Sequence, residues 1–240
     1  MIKAIIFDLD NTLLDFMKMK SSSINAAVLG MISAGMQIDK EKSINEIYNI
    51  YETKGYEHQE VLNEFIVNNT NQINYKYLAA GIVEYKKAKE KSLNLYDDVI
   101  PTLDTLMSMD LKLGIVSDAP SREAWIRLYT LKLHDKFKEV VTFNDTGVYK
   151  PAKEPFIRIA DKLNVELSEC MMVGDWPDRD IKGASQVGMK TAFAKYGSTE
   201  IISDSGADHD LNTISELIKI IKIRPPAVIS FNRASDRKST

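Results

Sequence analysis

Five short apolar runs, separated by longer segments with helical spacing, place the strongest constraint on the fold of this chain. Each run is mostly apolar and often β-branched, without a polar residue at every second position. The runs cover residues 2–7, 113–116, 140–143, 171–173 and 191–194. Such runs are typical of strands buried on both faces of a parallel sheet that is covered by helices. From about 97 to 221 they alternate with helical patterns, which predicts an open, Rossmann-like α/β sheet.

Helix boundaries within this region follow from proline and glycine. Pro101 and Pro155 each stand before apolar residues at helical spacing, so we place each proline at a first helical position. A third helical pattern runs over residues 181–187, and Gly188 follows it as a C-terminal cap. These helices are expected to cover the faces of the sheet.

The segment 15–96 contains no predicted strand. Ile24, Ala27, Val28 and Met31 recur at helical spacing, and further helical segments cover 44–56, 60–68 and 75–91. We interpret it as an all-helical cap inserted after the first strand. Residues 1–14 and 97–223 would then form the catalytic core. Residues 224–240, with two adjacent prolines and several basic residues, are predicted to be a C-terminal tail.

Composition excludes several classes of protein. A formal net charge of -3 gives no basic surface for a nucleic acid. The one cysteine, Cys170, excludes an intrachain disulfide, and no apolar run approaches the ~20 residues of a membrane helix. These features predict a soluble cytoplasmic protein. They carry no signal for an oligomeric state.

Polar side chains follow the predicted strands at the points where the strands end. Asp8 and Asp10 follow the first, Ser117 the second and Asp175 the fourth, while Lys150 follows the third at a short distance. Alone, each has an ordinary explanation as a turn residue, a helix cap or a surface charge, since 34 of the 240 residues are acidic. Together they predict one polar crevice, because ligands of open α/β sheets bind outside the carboxyl ends of the strands.

The chemistry of this set favours phosphoryl transfer. Clustered carboxylates repel one another unless a cation offsets their charge, and Mg²⁺ takes oxygen ligands together with substrate phosphate. A serine hydroxyl and a lysine ammonium would complete a cage for phosphoryl oxygens. A carboxylate is also a competent nucleophile toward phosphorus. The set therefore predicts a site for phosphoryl transfer.

Four segments together resemble the motifs of the haloacid dehalogenase superfamily. They are residues 8–13 (DLDNTL), 117–118 (SD), 150–151 (KP) and 174–180 (GDWPDRD). They occur in the expected order, and the resemblance extends over residues 2–221. The insertion after the first motif resembles the helical cap of the dehalogenase-like branch. The chain is similar to small archaeal phosphatases of that branch, some of them assigned to glyceraldehyde 3-phosphate.

The resemblance implies catalytic and metal-binding roles. Asp8 would be the nucleophile and a metal ligand. Asp10 would be the general acid and base, with its backbone carbonyl on the metal. Asp175 would be the metal ligand of the last motif. The metal implied is Mg²⁺, and the partner implied is a small phosphorylated metabolite.

It also implies roles around these three aspartates. Ser117 and the backbone N–H groups near Asp118 would bind phosphoryl oxygens, and Lys150 would neutralise the nucleophile and the transferring group. Thr12 and Asp180 would lie behind the metal ligands, with Asp180 supporting them or starting a helix. Trp176 departs from the pattern, since a small polar residue is frequent at its position.

Other activities of the superfamily remain as alternatives. A metal-independent dehalogenase lacks a carboxylate two residues after the nucleophile, so Asp10 speaks against it. The same position disfavours a phosphonatase or a transport ATPase. A phosphosugar mutase keeps both aspartates and a similar cap, so it stays open. A non-catalytic scaffold is disfavoured because the full set of polar residues is intact.

Overall fold

The core of the protein is a six-stranded parallel sheet. The structure, a computed structural model, describes residues 1–222. The strands are β1 (Ala4–Phe7), β2 (Lys112–Val116), β3 (Glu139–Val141), β4 (Cys170–Gly174), β5 (Lys190–Ala194) and β6 (His209–Leu211). Their order across the sheet is β3-β2-β1-β4-β5-β6. The predicted α/β class is confirmed, whereas the tail predicted at 224–240 lies outside the described residues.

The first strand occupies a central position in this sheet. Ile5 pairs with Leu113 of β2 on one side and with Met171 of β4 on the other. The chain therefore leaves β1 toward one half of the sheet and reaches the other half later. This is the topological switch point at which open α/β sheets bind ligands. Asp8 follows β1 directly at this point.

Ten α-helices accompany the sheet within residues 1–222. They are α1 (Phe16–Ser33), α2 (Lys40–Lys54), α3 (Val61–Thr70), α4 (Tyr75–Ser92), α5 (Val99–Ser108), α6 (Ser121–Thr130), α7 (Phe143–Thr146), α8 (Lys153–Leu163), α9 (Lys182–Gln186) and α10 (Glu216–Lys222). A 3₁₀ turn precedes β4, and a π-helical turn at Pro177–Ile181 precedes α9. Within the described part of the chain, no helix is both long enough and apolar enough to cross a membrane.

Apolar side chains cover both faces of the sheet. Ile5 and Phe7 point into one buried cluster, which also takes in residues of α5, α6 and α10. Ala4 and Ile6 point into a second cluster with residues of α8 and α9. Successive residues of a strand face opposite sides, so β1 must be apolar at every position. This explains why the strands read as continuous apolar runs.

The helices α1 to α4 have an apolar cluster of their own. Ile24 and Val28 of α1 meet Ile47 of α2 and Phe65 of α3 in it. The first turn of α1 instead packs on the sheet, where Phe16 joins the first cluster. Side chains cap three of these helices, since Asp15, Asp39 and Asn74 accept hydrogen bonds from the first turns of α1, α2 and α4.

Both connections between this helical segment and the sheet run side by side. Leu14 and Leu95 form an antiparallel bridge. Asp15 N donates to Asn94 O at 3.1 Å, and Tyr96 N donates to Leu13 O at 3.1 Å. The chain therefore leaves and re-enters the core at one place.

Two local predictions are corrected by the structure, and one strand was missing from the prediction. Pro101 and Pro155 occupy the third positions of α5 and α8 rather than the first; the whole first turn tolerates proline because its N–H groups lack acceptors within the helix. The third strand ends at Val141, since Thr142 caps α7 and Phe143 begins it. The strand β6 was not predicted, because it has only three residues and two of them are exposed.

Candidate active site

Lys150 lies at the centre of a buried ionic cluster at the carboxyl edge of the sheet. Its Nζ is 2.5 Å from Asp8 Oδ1 and 2.5 Å from Asp180 Oδ1, and it donates to Val116 O at 3.2 Å. All three ionic side chains are buried. Because the ammonium has partners from three directions, its position against Asp8 is fixed. Burial lowers the pKa of Lys150, but Asp180 and Asp8 outweigh that effect and raise it, so the lysine is charged.

Asp8, Asp175 and Asp180 together could hold a metal ion. Each offers a carboxylate oxygen, and these oxygens lie within 4.8 Å of one another. Asp175 follows β4, the neighbour of β1, and its Oδ1 accepts a hydrogen bond from Thr12 Oγ1 at 3.3 Å. A donor set of carboxylate oxygens suits hard divalent cations such as Mg²⁺.

The electrostatics of the cluster favour a cation. Burial raises the pKa of Asp8 to about 7, with Lys150 opposing the shift and Asp180 adding to it. Burial, followed by the charges of Asp8 and Asp180, raises the pKa of Asp175 to about 9. A divalent ion among these groups would stabilise their charged forms, since an opposite charge lowers a carboxyl pKa.

Asp180 lies closer to the predicted ligands than the sequence suggests. Its Oδ2 accepts a hydrogen bond from Trp176 N at 3.1 Å, while its Oδ1 faces Lys150. Gly174 makes this approach possible, because a Cβ there would overlap the Asp180 carboxyl group. Both oxygens of Asp180 therefore have protein partners, one in an ion pair and one in a hydrogen bond. The supporting role that the resemblance implies for Asp180 stays a prediction.

Ser117 and Asp118 lie beside Lys150 at the end of β2. Ser117 is buried, and its Oγ accepts a hydrogen bond from Ala119 N at 3.1 Å. The two oxygens of Asp118 accept from Lys150 N, at 2.9 Å, and from the guanidinium of Arg179. The Asp118 carboxylate is thus engaged with protein groups, so any contact with a phosphoryl group would use its backbone N–H.

Asp10 is held by a residue that sequence reasoning missed. Arg127 of α6 donates from Nη1 to Asp10 Oδ2 at 2.7 Å and from Nη2 to Glu57 Oε1. The other oxygen, Asp10 Oδ1, is buried and has no hydrogen-bond partner within residues 1–222. Burial raises the pKa of Asp10, while Arg127 opposes the shift. At a given pH, Asp10 is therefore protonated to a greater extent than an exposed aspartate.

A weak sequence signal for Arg127 exists in hindsight. It lies three residues after Ala124 and one before Leu128, both of which are buried, so helical spacing places an arginine on an apolar face. A charged residue at such a position needs a partner. No comparable signal marks Glu57, which lies in the connection between α2 and α3.

A cavity of about 990 Å³ brings these groups together. One wall comes from the edge of the sheet and includes Asp8, Asp10, Ser117, Lys150 and Asp175. The opposite wall comes from the helical segment and includes residues 51–52 and 54–57. All of the sequence-predicted site residues except Thr12 line the cavity, and Thr12 lies behind Asp175.

Comparison with known proteins places this site in a family. Residues 5–194 match the family model described as haloacid dehalogenase-like hydrolase. This chain belongs to that family. The superfamily predicted from the four motifs is therefore confirmed, and with it the prediction of a hydrolase.

Curated relatives and a solved structure extend this result. A glyceraldehyde 3-phosphate phosphatase of Methanocaldococcus jannaschii is 32% identical over 92% of this chain and 98% of its own length. A protein of the same name from Methanopyrus kandleri is 32% identical, with the same coverage of both chains. The crystal structure of a phosphatase of this superfamily from Thermococcus onnurineus superposes with a TM-score of 0.70. It is 26% identical and covers 92% of this chain and 98% of its own.

Proposed function

We propose that this protein is a Mg²⁺-dependent phosphatase that hydrolyses small phosphate monoesters through an aspartyl-phosphate intermediate on Asp8. One observation carries the proposal. A buried nucleophile with a fixed ammonium stands in the same cavity as a second carboxylate, Asp10, whose Oδ1 is buried and has no partner within residues 1–222. The family and the phosphatase relatives support this assignment.

The donor set fits a magnesium ion. Asp8 and Asp175 would bind it with carboxylate oxygens, and Asp10 would bind it through its backbone carbonyl. Asp180 would stay behind them, because its oxygens hold Lys150 and the backbone of Trp176. When bound, the ion supplies positive charge against the phosphoryl oxygens and the acidic side chains.

The first half-reaction uses Asp8 and Asp10. A carboxylate oxygen of Asp8 forms a bond to phosphorus while the bond from phosphorus to the ester oxygen breaks. Asp10, with its raised pKa, gives a proton to the leaving alcohol. Lys150 stabilises negative charge on Asp8 and on the transferring group, and Ser117 donates a hydrogen bond to a phosphoryl oxygen.

The second half-reaction reverses these proton movements. Asp10, now a carboxylate, takes a proton from a water molecule as the water oxygen attacks phosphorus. The bond from phosphorus to Asp8 breaks, which restores the Asp8 carboxylate and releases inorganic phosphate. Asp10 ends the cycle protonated, ready for another ester.

Substrate selection would belong to the helical segment. We assign residues 1–14 and 97–223 to a catalytic core and residues 15–96 to a cap that moves as a lid over the cavity. The paired chain crossings at Leu14 and Leu95 would serve as the hinge. Closure would exclude bulk water and strengthen the interactions of the charged groups with the phosphoryl group. The relatives make a phosphorylated three-carbon sugar such as glyceraldehyde 3-phosphate the first substrate to test.

The assignment is tested by phosphate release from a panel of phosphorylated sugars and acids, including glyceraldehyde 3-phosphate. We expect release with Mg²⁺, loss of release after chelation, and recovery on adding the ion back. A phosphosugar mutase would convert one phosphosugar into another without releasing phosphate. Full activity after exhaustive chelation would contradict the proposal and favour metal-independent chemistry.

A further inference from the structure

We propose that Glu57 is a positioning residue: through Arg127 it keeps one oxygen of Asp10 free for proton transfer. The inference rests on the function proposed above. It assigns to the helical segment a direct effect on the chemical step, in addition to substrate selection. It also makes that effect dependent on contact between the segment and the sheet.

The bridge through Arg127 uses two different nitrogens. Nη1 donates to Asp10 Oδ2 at 2.7 Å, and Nη2 donates to Glu57 Oε1. A guanidinium is planar and rigid, so the direction of one carboxylate limits the direction of the other. Arg127 is only 1% exposed, and its guanidinium carbon lies 4.7 Å from the centre of the Phe16 ring. The guanidinium therefore lies between Asp10 at the sheet edge and Phe16 in the first turn of α1.

The other end of the bridge is anchored inside the helical segment. Glu57 follows Tyr56, whose backbone carbonyl accepts a hydrogen bond from Lys20 Nζ. Lys20 is buried and lies 4.3 Å from the centre of the Tyr51 ring, on which Tyr56 stacks at 5.6 Å. The position of Glu57 thus depends on the packing of α1 against α2.

The charge balance explains why Glu57 matters to Asp10. With both carboxylates present, each takes one terminal nitrogen of the guanidinium, and Asp10 Oδ1 is left without a partner within residues 1–222. Arginine and a carboxylate prefer to pair through two parallel hydrogen bonds. If Glu57 is replaced by glutamine, the neutral amide oxygen holds Nη2 less strongly than a carboxylate does, so Nη2 can turn to Asp10 as well. Both oxygens of Asp10 would then face Arg127, and proton transfer to the leaving group would weaken.

Glu57→Gln tests this with a series of aryl phosphates. The series runs from p-nitrophenyl phosphate, whose phenol leaves without a proton, to p-methoxyphenyl phosphate, whose phenol needs one. The rate of phenol release in the first turnover isolates the half-reaction in which Asp10 acts as an acid. We expect this rate for p-methoxyphenyl phosphate to fall about 10- to 100-fold, since a small misplacement of a catalytic group can cost about 100-fold. For p-nitrophenyl phosphate the same rate should change by less than about threefold, and KM should change little for either ester.

Glu60→Gln is the matched control. Glu60 belongs to the same connection between α2 and α3, is exposed, and makes no side-chain capping bond to α3. We expect this variant to keep the wild-type dependence on the leaving group.

A second test is Arg127→Lys, because a lysine ammonium cannot present a planar fork to two carboxylates. Adding Glu57→Gln to Arg127→Lys should cause no further loss if both changes break the same bridge.

Three results would overturn the inference. An equal loss of the first-turnover rate on all the esters would indicate a general structural defect, and an effect on KM alone would indicate substrate binding. Wild-type behaviour of Glu57→Gln would show that the bridge has no catalytic effect. Failure of the proposed function itself looks different: the unaltered protein with Mg²⁺ would release no phosphate from any ester.

Discussion

The two walls of the cavity differ in how firmly their charged residues are held. On the sheet side, Asp8, Lys150 and Asp180 are buried, and Lys150 pairs with both carboxylates. On the helical side, Glu52 and Lys54 are exposed, and Lys54 pairs with Glu64 of α3 rather than with the sheet. One wall is built from adjacent parallel strands, and the other from the end of a helix and the connection after it.

This difference predicts which side chains of the site can be substituted at little cost in stability and which cannot. A change at the sheet edge leaves a buried charge without its partner, which carries a large free-energy cost. A change among exposed side chains of the helical wall costs little stability. Substitutions in the wall from the helical segment therefore cost less stability than substitutions at the sheet edge, as the proposed role of that wall in substrate selection requires. Glu57 is the exception, since its partner Arg127 is buried.

The largest expected effect is at the nucleophile. Asp8→Asn should lower kcat by about 10⁴-fold or more, because an amide is a poor nucleophile toward phosphorus. Circular dichroism should show a folded protein. Asp97→Asn is the control, since Asp97 is an exposed acid just beyond the helical segment. Near-normal turnover by folded Asp8→Asn would rule out the covalent mechanism.

The next effect is at the acid and base. Asp10→Asn should slow hydrolysis of an alkyl phosphate by about 10²–10⁴-fold, the usual contribution of a positioned acid or base. The first half-reaction with p-nitrophenyl phosphate should suffer less, because its leaving group needs no proton. A rapid burst of p-nitrophenol followed by slow phosphate release would support the double role. An alkyl phosphate hydrolysed at the wild-type rate would exclude it.

A smaller effect is expected from removing the helical wall. Leu14 and Leu95 are bridged, so a short glycine-rich linker can replace residues 16–93. We expect the kcat/KM values of different small phosphorylated sugars to become more alike. The ratio between the best and the poorest of them should fall by at least about tenfold, as pocket contacts are lost. Thermal unfolding must show that the core remains folded. If it does not, Glu52→Ala and Lys54→Ala test the same wall, and an unchanged substrate profile would assign selection to the sheet side.

The smallest effect concerns stability and pH. The pKa of Asp8 rises in the folded protein from an ordinary value near 3.8 to about 7, and that of Asp175 rises to about 9. At a pH above 3.8 and below these raised values, the folded state holds protons that the unfolded chain has released. The free energy of unfolding therefore falls as pH rises through this range. With chelator, Tm should fall by at least about 2–4 °C from pH 5 to pH 8, the effect of about 1 kcal/mol in a chain of this size.

Magnesium and one substitution sharpen that measurement. Mg²⁺ should raise Tm more at pH 8 than at pH 5, because it binds the charged carboxylates of the folded state. Asp175→Asn should weaken both the pH dependence and the response to the ion. A Tm that rises with pH in the presence of chelator would show that the cluster does not carry raised pKa values.

Different parts of the molecule were predictable to different degrees. The strands β1 to β5 were found because a strand buried on both faces is mostly apolar, although their ends shifted by up to two residues. The strand β6 has one buried residue of three, so its sequence carries no such signal. Helical spacing marked α1 to α4 clearly, because each of these helices contributes apolar residues to a shared cluster.

The sequence by itself determined which groups stand at the sheet edge. Parallel strands end on one side, so residues that follow β1, β2 and β4 must meet there. Only the tertiary structure decided how these groups pair. Arg127 is 117 residues from Asp10 and 70 from Glu57, and the position of Asp180 depends on a π-helical turn. Strand ends follow from local patterns, whereas hydrogen bonds between distant side chains depend on packing that no single segment encodes.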